Sequence, residues 1–224
     1  MKKTLAKSIE KIAGMIFCLI VAFSLVSCSD KRKTSESGEG LYFVLNEDGE
    51  SYSVSGVYGS IGGPRYSRII IPEEYDGKPV TRIESLGIED IIYGFIHDDN
   101  VHLEYLEIPC TIEYINYSAI NKCSVLKSVV ADENNPCFKD IDGILCTKDE
   151  TTLICYPKGI SDITDTINIP ESVTSVCEWA FYGCSSLTDV YYTGSEAEWA
   201  AISIGSSNDA LKNATIHYNY VPEE

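Results

Sequence analysis

The chain has 224 residues, with 17 Lys and Arg against 34 Asp and Glu and a formal charge of −17. Setting aside four lysines and one glutamate in the first 27 residues leaves 13 basic and 33 acidic side chains, a balance of −20. Such a body repels a phosphate backbone, which excludes nucleic-acid binding, and avoids anionic lipid head groups unless tethered.

Hydrophobic residues make up 44% of the chain, and the part beyond the leader is long enough for one packed core. With only His97, His102 and His217, metal binding and His-dependent catalysis have little to draw on.

Lys2, Lys3, Lys7 and Lys11 make a basic start, followed by 15 uncharged residues from Ile12 to Val26. A spanning helix needs about 20 apolar residues, so the run suits the hydrophobic part of a signal peptide instead. It ends Leu25-Val26-Ser27-Cys28, then turns polar at Ser29-Asp30. This resembles the bacterial lipoprotein signal, in which a small residue precedes a cysteine that becomes the lipidated N-terminus. An ordinary cleaved signal and an uncleaved anchor helix are the other readings. Residues 1–27 are thus expected to be a signal peptide and Cys28 the lipidation site, where two acyl chains suffice for stable anchoring. Residues 28–40 hold Ser, Gly and charges with nothing apolar beyond Cys28, and are expected to be a flexible tether.

The body, 41–220, repeats itself at an offset of 61 residues. Residues 106–129 read LEIPCTIEYINYSAINKCSVLKSV and residues 167–190 read INIPESVTSVCEWAFYGCSSLTDV, identical at seven of 24 positions. A looser copy starts at Ile69-Ile70-Ile71-Pro72 and decays around 84–100. Each unit reads as a short strand, a proline bend, a second apolar pair, a helical turn and a return. One unit cannot enclose its own apolar face, so neighbours must stack. Alternation puts Leu106, Ile108, Val190 and Tyr192 inside, with Tyr105, Glu107, Asp189 and Tyr191 outside. Pro109 and Pro170 end their strands, having no N–H for a ladder.

These units closely resemble the BspA-like leucine-rich repeat, whose pattern runs Ile-Pro, Val-Thr-x-Ile, Ala-Phe, Gly-Cys, Leu-x-x-Val. Residues 41–56 are similar to its opening strand-turn-strand, 135–159 to a hairpin insert, and 190–219 to its closing segment. The expected fold is mainly β with short helices (α/β leucine-rich repeat class), a single solenoid with a hairpin insert. Ile120 stands where the family usually has Phe. Ser195 and Glu198 match a capping box ahead of Trp199, Ala200 and Ile202, which predicts one short helix. A last strand from Thr215 to Asn219 is expected to cap the stack.

Cys123 and Cys184 share one slot of two repeats, where the resemblance implies a ladder of buried thiols; a disulfide framework is the other reading for an exported chain. Cys146 and Cys155 are the pair best placed for a disulfide if one forms. Zinc lacks a C-x-x-C or H-x₃₋₅-H pair. Acidic stretches at 97–100 and 132–135 could hold calcium, but no EF-hand spacing occurs and solvated loops account for them. No nucleophile motif accompanies a histidine. Neither a cofactor nor catalysis is expected.

Outward strand positions give a candidate binding face of Arg68, Ile70, Tyr105, Glu107, Val130, Asn168, Tyr191 and His217. Tyr and Val there are also simply good strand formers. The lipoprotein signal implies a membrane-anchored protein of the cell envelope, exposed outside the cytoplasm; the repeat resemblance implies binding to extracellular or cell-surface proteins, and a monomer is expected. Adhesion to host or neighbouring-cell macromolecules is the expected role. An envelope-associated protein that binds cell-wall or glycan components is the alternative, and an accessory module of a degradative enzyme is a third reading.

Overall fold

The computed structural model describes residues 33–35, 40–58, 66–85, 88–90, 95–97, 103–121, 123–160 and 164–222. The chain divides into Met1–Lys31 and Arg32–Glu224, and every described residue belongs to the second unit. The expected signal peptide, Cys28, most of the tether and His102 lie outside the described residues.

In chain order, β1 (Lys33–Ser35), β2 (Leu41–Leu45) and β3 (Tyr52–Tyr58) come first, then β4 (Tyr66–Ile70), β5 (Glu74–Tyr75) and β6 (Lys78–Ile83). Two short strands follow, β7 (Ile88–Asp90) and β8 (Phe95–His97). The next coil holds β9 (Tyr105–Ile108), β10 (Tyr114–Ile115) and α1 (Tyr117–Asn121). After it come β11 (Ser128–Ala131), β12 (Phe138–Ile141), β13 (Ile144–Thr147) and β14 (Thr152–Cys155). The chain closes with β15 (Thr166–Ile169), β16 (Ser175–Val176), β17 (Asp189–Tyr192), α2 (Glu196–Ala201), β18 (Ser203–Ile204), α3 (Asp209–Asn213) and β19 (Thr215–His217).

Successive coils place one strand on a first side of the stack and another on a second. The first-side strands form two parallel sheets, β1-β4-β9-β11 and β15-β17-β19. On the second side β10-β6-β3 pair in parallel, as do β14-β16-β18. Lys33–Ser35 lies inside the stretch expected to be a tether, yet it pairs with Tyr66, Arg68 and Ile69. An edge strand offers free backbone donors and acceptors, and joining it needs no apolar side chain.

The 61-residue repeat is visible in the core. Nine equivalent pairs are buried in both copies: Leu106/Ile167, Ile108/Ile169, Ile112/Val173, Ile115/Val176, Ala119/Ala180, Ile120/Phe181, Cys123/Cys184, Leu126/Leu187 and Val129/Val190. The backbone repeats with them. Ile112 N–H bonds Pro109 O at 3.3 Å and Val173 N–H bonds Pro170 O at 3.1 Å. Between the two copies, β12, β13 and β14 run antiparallel. Leu145, Ile154 and Cys155 from this segment join the first core, while Leu153 and Tyr156 join the second.

Two Asp-Gly pairs make the tightest turns. Asp142 and Gly143 (φ 53° and 84°) link β12 to β13, and Asp76 and Gly77 (51° and 72°) link β5 to β6. Positive φ at both central residues matches the twist of the flanking strands, and Asp followed by Gly tolerates it best. At the C-terminal end Ser195 Oγ accepts from Glu198 N–H, and Glu198 accepts from Ser195 N–H at 2.7 Å, closing the capping box of α2. Trp199 of that helix packs edge-on to Tyr192, 5.2 Å between centroids.

Candidate functional site

Parallel pairing in register turns the alternation of each first-side strand into rows that cross the strands. Ile70 pairs with Glu107 and Glu107 with Val130; Arg68 pairs with Tyr105. In the second sheet Asn168 pairs with Tyr191 and Tyr191 with His217. The inner neighbours Ile69, Leu106, Val129, Ile167 and Val190 are buried, so these rows must face away from the core. The structure thus sets the eight candidate residues on two sheets, five on one and three on the other.

On the larger sheet Tyr105 and Val130 are exposed, at 43% and 47%. Arg68 forms an ion pair with Glu107 on the neighbouring strand, both partly open to solvent. Such a pair orients both chains but adds little stability.

The smaller sheet carries a built aromatic plate. Tyr191 stacks on His217 with centroids 4.6 Å apart and planes 14° apart, and Tyr220 leans on Tyr191 at 4.8 Å. His217 Nε2 lies 2.7 Å from Asp189 Oδ1, and Thr188 Oγ1 donates to Asp189 Oδ2 at 2.7 Å. The His217 bond, then the Thr188 bond, holds the Asp189 carboxyl below its ordinary value. The pair fixes the imidazole in the plane that Tyr191 needs. Thr188 and His217 bond different oxygens of the Asp189 carboxyl, an arrangement that positions a flat surface.

Cys123 and Cys184 are buried free thiols, as the ladder reading expects, and no disulfide forms among the described cysteines. All seven described cysteines are free thiols. Cys146 pairs across the strands with Leu153, and Cys155 with Leu145, so the two thiols are not opposite each other. Cys146 Sγ points to Lys139 O at 3.5 Å, while Cys155 is buried in the first core. Burial pushes the Cys155 thiol well up, and the nearby Cys123, Cys184 and Cys177 add to it. The ladder expected at Cys123 and Cys184 therefore gains Cys155, contributed by the antiparallel segment.

Asn135, read as part of an acidic loop, is fully buried and spends its whole amide on backbone. Its Nδ2 donates to Pro109 O and Ile112 O at 2.7 and 3.0 Å, and its Oδ1 accepts from Cys137 and Phe138 N–H. Among the described residues no group of three or more His, Cys, Asp or Glu side chains could hold a metal ion. Among them, too, no helix is long and apolar enough to cross a membrane. Sequence reasoning missed Tyr220, Trp179, Tyr182, Tyr114 and Tyr117 as surface features, because it applied strand alternation only to the first-side strands.

The BspA type leucine-rich repeat region matches this chain in six copies, over residues 90–146 and 155–219. No curated protein matches it. Among solved structures, the pneumococcal vaccine antigen PcpA is 20% identical over 79% of this chain and 54% of that one, with a TM-score of 0.38. A leucine-rich cell surface protein from Faecalibacterium prausnitzii is 20% identical over 85% and 55%, with a TM-score of 0.40. A leucine-rich repeat protein of T. pallidum is 14% identical over 84% and 83%, with a TM-score of 0.42. The chain spans about half the length of the first two.

Proposed function

The chain belongs to the BspA-type leucine-rich repeat family, and on that footing we propose that it is a non-catalytic surface protein, lipid-anchored at Cys28, whose strand face binds other proteins. The role is adhesion to macromolecules of a host or a neighbouring cell. Fold alone does not fix function. The observation that carries this reading is the in-register display of outward side chains, Ile70–Glu107–Val130 on one sheet and Asn168–Tyr191–His217 on the other. Stacked coils hold such rows rigid, so little ordering entropy is lost when a partner docks. Tyr105 and Tyr191 provide broad contact area with few rotatable bonds. The −20 balance beyond residue 27 steers basic protein surfaces toward the face and turns polyanions away.

The test uses the chain from residue 29 onward against immobilised fibronectin, fibrinogen, mucin and purified cell-wall glycan. A Tyr105→Ala, Tyr191→Ala variant runs beside it. Saturable binding to one of the proteins, weakened in the variant, is the expected result. Retention on cell-wall glycan alone would overturn the protein-binding reading.

A further inference from the structure

On the second side, β2 forms an edge: among the described residues it pairs with β3 alone. Its sequence, Leu41-Tyr42-Phe43-Val44-Leu45, holds no charge and no proline. Val44 and Leu45 are 54% and 47% exposed, and Phe43 stacks on the exposed ring of Tyr75 with centroids 4.1 Å apart and planes 15° apart. Tyr75 in turn meets Tyr52, the partner of Leu45 on β3, edge-on at 5.1 Å. An uncharged apolar strand at a sheet edge is a template for pairing with another chain.

Backbone direction shows which groups that edge presents. Asn46 N–H bonds Ser51 O at 2.9 Å, which makes these two a bonded pair at the end of the hairpin. Val54 O turns the other way and accepts from Glu84 N–H at 2.8 Å. Opposed residues of an antiparallel pair alternate between bonded and non-bonded, so Val44 and Ser53 are bonded partners. Phe43 and Leu45 therefore direct their N–H and C=O groups away from β3, and the register shift between Tyr42 and Phe43 leaves this half regular. Two other edges are closed by the chain itself. At β11, Val129 N–H bonds Gly143 O at 3.0 Å and Ala131 N–H bonds Asp140 Oδ1 at 2.9 Å; at β15, Thr166 N–H bonds Thr164 Oγ1 at 3.2 Å. Among the described residues no such group closes the edge at Phe43 and Leu45.

A second copy of β2 fits that edge. Set antiparallel about Val44, Phe43 of each copy lies opposite Leu45 of the other, and both pairs exchange backbone hydrogen bonds. The two Val44 side chains meet across the axis. Glu47 and Asp48 fall opposite Leu41 and Gly40, so no acidic side chain faces another although the chain is strongly acidic. Each strand is already held extended by β3, so pairing orders no new backbone. We propose that the chain, in place of the expected monomer, forms a two-fold dimer by antiparallel pairing of β2 about Val44. This joins the second-side sheets of two copies and leaves the first-side rows to other partners. The contact is one short strand pair, which places it among small, reversible interfaces.

The test is sedimentation equilibrium of the chain from residue 29 onward. Expected is a reversible monomer–dimer equilibrium with dimer populated by about 1 mM. Val44→Lys sets two ammonium groups against each other at the axis and should weaken association about ten-fold or more. Because Val44 is exposed, that variant keeps its fold, which circular dichroism checks. Val44→Cys gives a second readout, since Cα atoms of a non-bonded pair lie about 4.5 Å apart, within reach of a disulfide. Diamide should link Val44→Cys into dimers faster than it links Glu47→Cys or the parent chain. A chain that stays monomeric to about 1 mM overturns the proposal and leaves the edge to an extended segment of another protein. Equal association of Val44→Lys overturns it too, as does linkage of Val44→Cys no faster than that of Glu47→Cys.

Discussion

Cys123 and Cys184, separated by 184 − 123 = 61 positions, are both buried, with Sγ directed at a backbone carbonyl: Ala119 O at 3.5 Å and Tyr156 O at 3.7 Å. Each acts as a small hydrophobe with a weak donor. Burial pushes the Cys184 thiol up to about 12 and that of Cys146 to about 11.

An alkaline weakness follows from these thiols. Unfolded thiols release their protons near pH 8.5, well below the folded Cys184. Between those values the folded state holds more protons, so stability is full below the unfolded pKa and falls as pH rises through the folded one. Urea midpoints should decline from about pH 9 upward. Cys184→Ala should show a flatter decline; an unchanged slope would mean that this thiol is not the coupled group.

Asn135 and Asn208 are both fully buried, and each closes a bend with both ends of its amide. Asn208 Nδ2 donates to Cys177 O at 2.9 Å and Gly205 O at 3.0 Å, and its Oδ1 accepts from Phe181 N–H at 2.8 Å. Replacing either by Ala strands several buried backbone groups at about 1–3 kcal/mol each. Asn208→Ala and Asn135→Ala should each lose about 3 kcal/mol or more in urea unfolding. Asn134→Ala, at an exposed neighbour, should stay within about 0.5 kcal/mol.

Tyr156 and Phe181 stack in the second core with centroids 5.2 Å apart, yet the Tyr156 hydroxyl is buried without a partner. The ring contributes and the oxygen does not. Tyr156→Phe should leave stability equal or raise it by about 1 kcal/mol, because it removes an unpaired polar atom at nearly constant volume. Phe181→Ala should cost about 3–5 kcal/mol, while Tyr182→Ala, one residue on and exposed, should cost little. A large loss on Tyr156→Phe would show that the hydroxyl does have a partner in solution.

Strand alternation and the 61-residue offset made the inside and outside of each coil legible, because a two-residue period and a repeated slot are properties of sequence alone. Leu106 and Val190 could be placed inside and Tyr105 and Tyr191 outside on that basis. The Ser195–Glu198 cap was legible too, since its partners are three residues apart. Asn135 and Asn208 were not. Their roles depend on carbonyls such as Pro109 and Cys177, brought close only by coil closure. Nor did any pattern place Cys155 beside Cys123, or give Trp179 a positive φ; both arise where coils of unequal length meet.

Asp189 and His217 offer the most direct probe of the strand face. His217→Phe keeps a flat ring against Tyr191 while removing the Nε2 that bonds Asp189. That bond is the first cause of the lowered Asp189 pKa, so the variant's carboxyl should titrate closer to the ordinary aspartate range, with Thr188 still holding it part of the way down. A depressed carboxylate contributes stability above its unfolded pKa and loses it as pH falls through the folded one. In His217→Phe this contribution therefore shrinks, and its loss on acidification is complete at a higher pH. Carboxyl carbon shifts followed by NMR across the acid range read the midpoint directly. If the midpoint does not move, Thr188 rather than His217 orients Asp189, and the plate formed by Tyr191, His217 and Tyr220 is held by stacking alone.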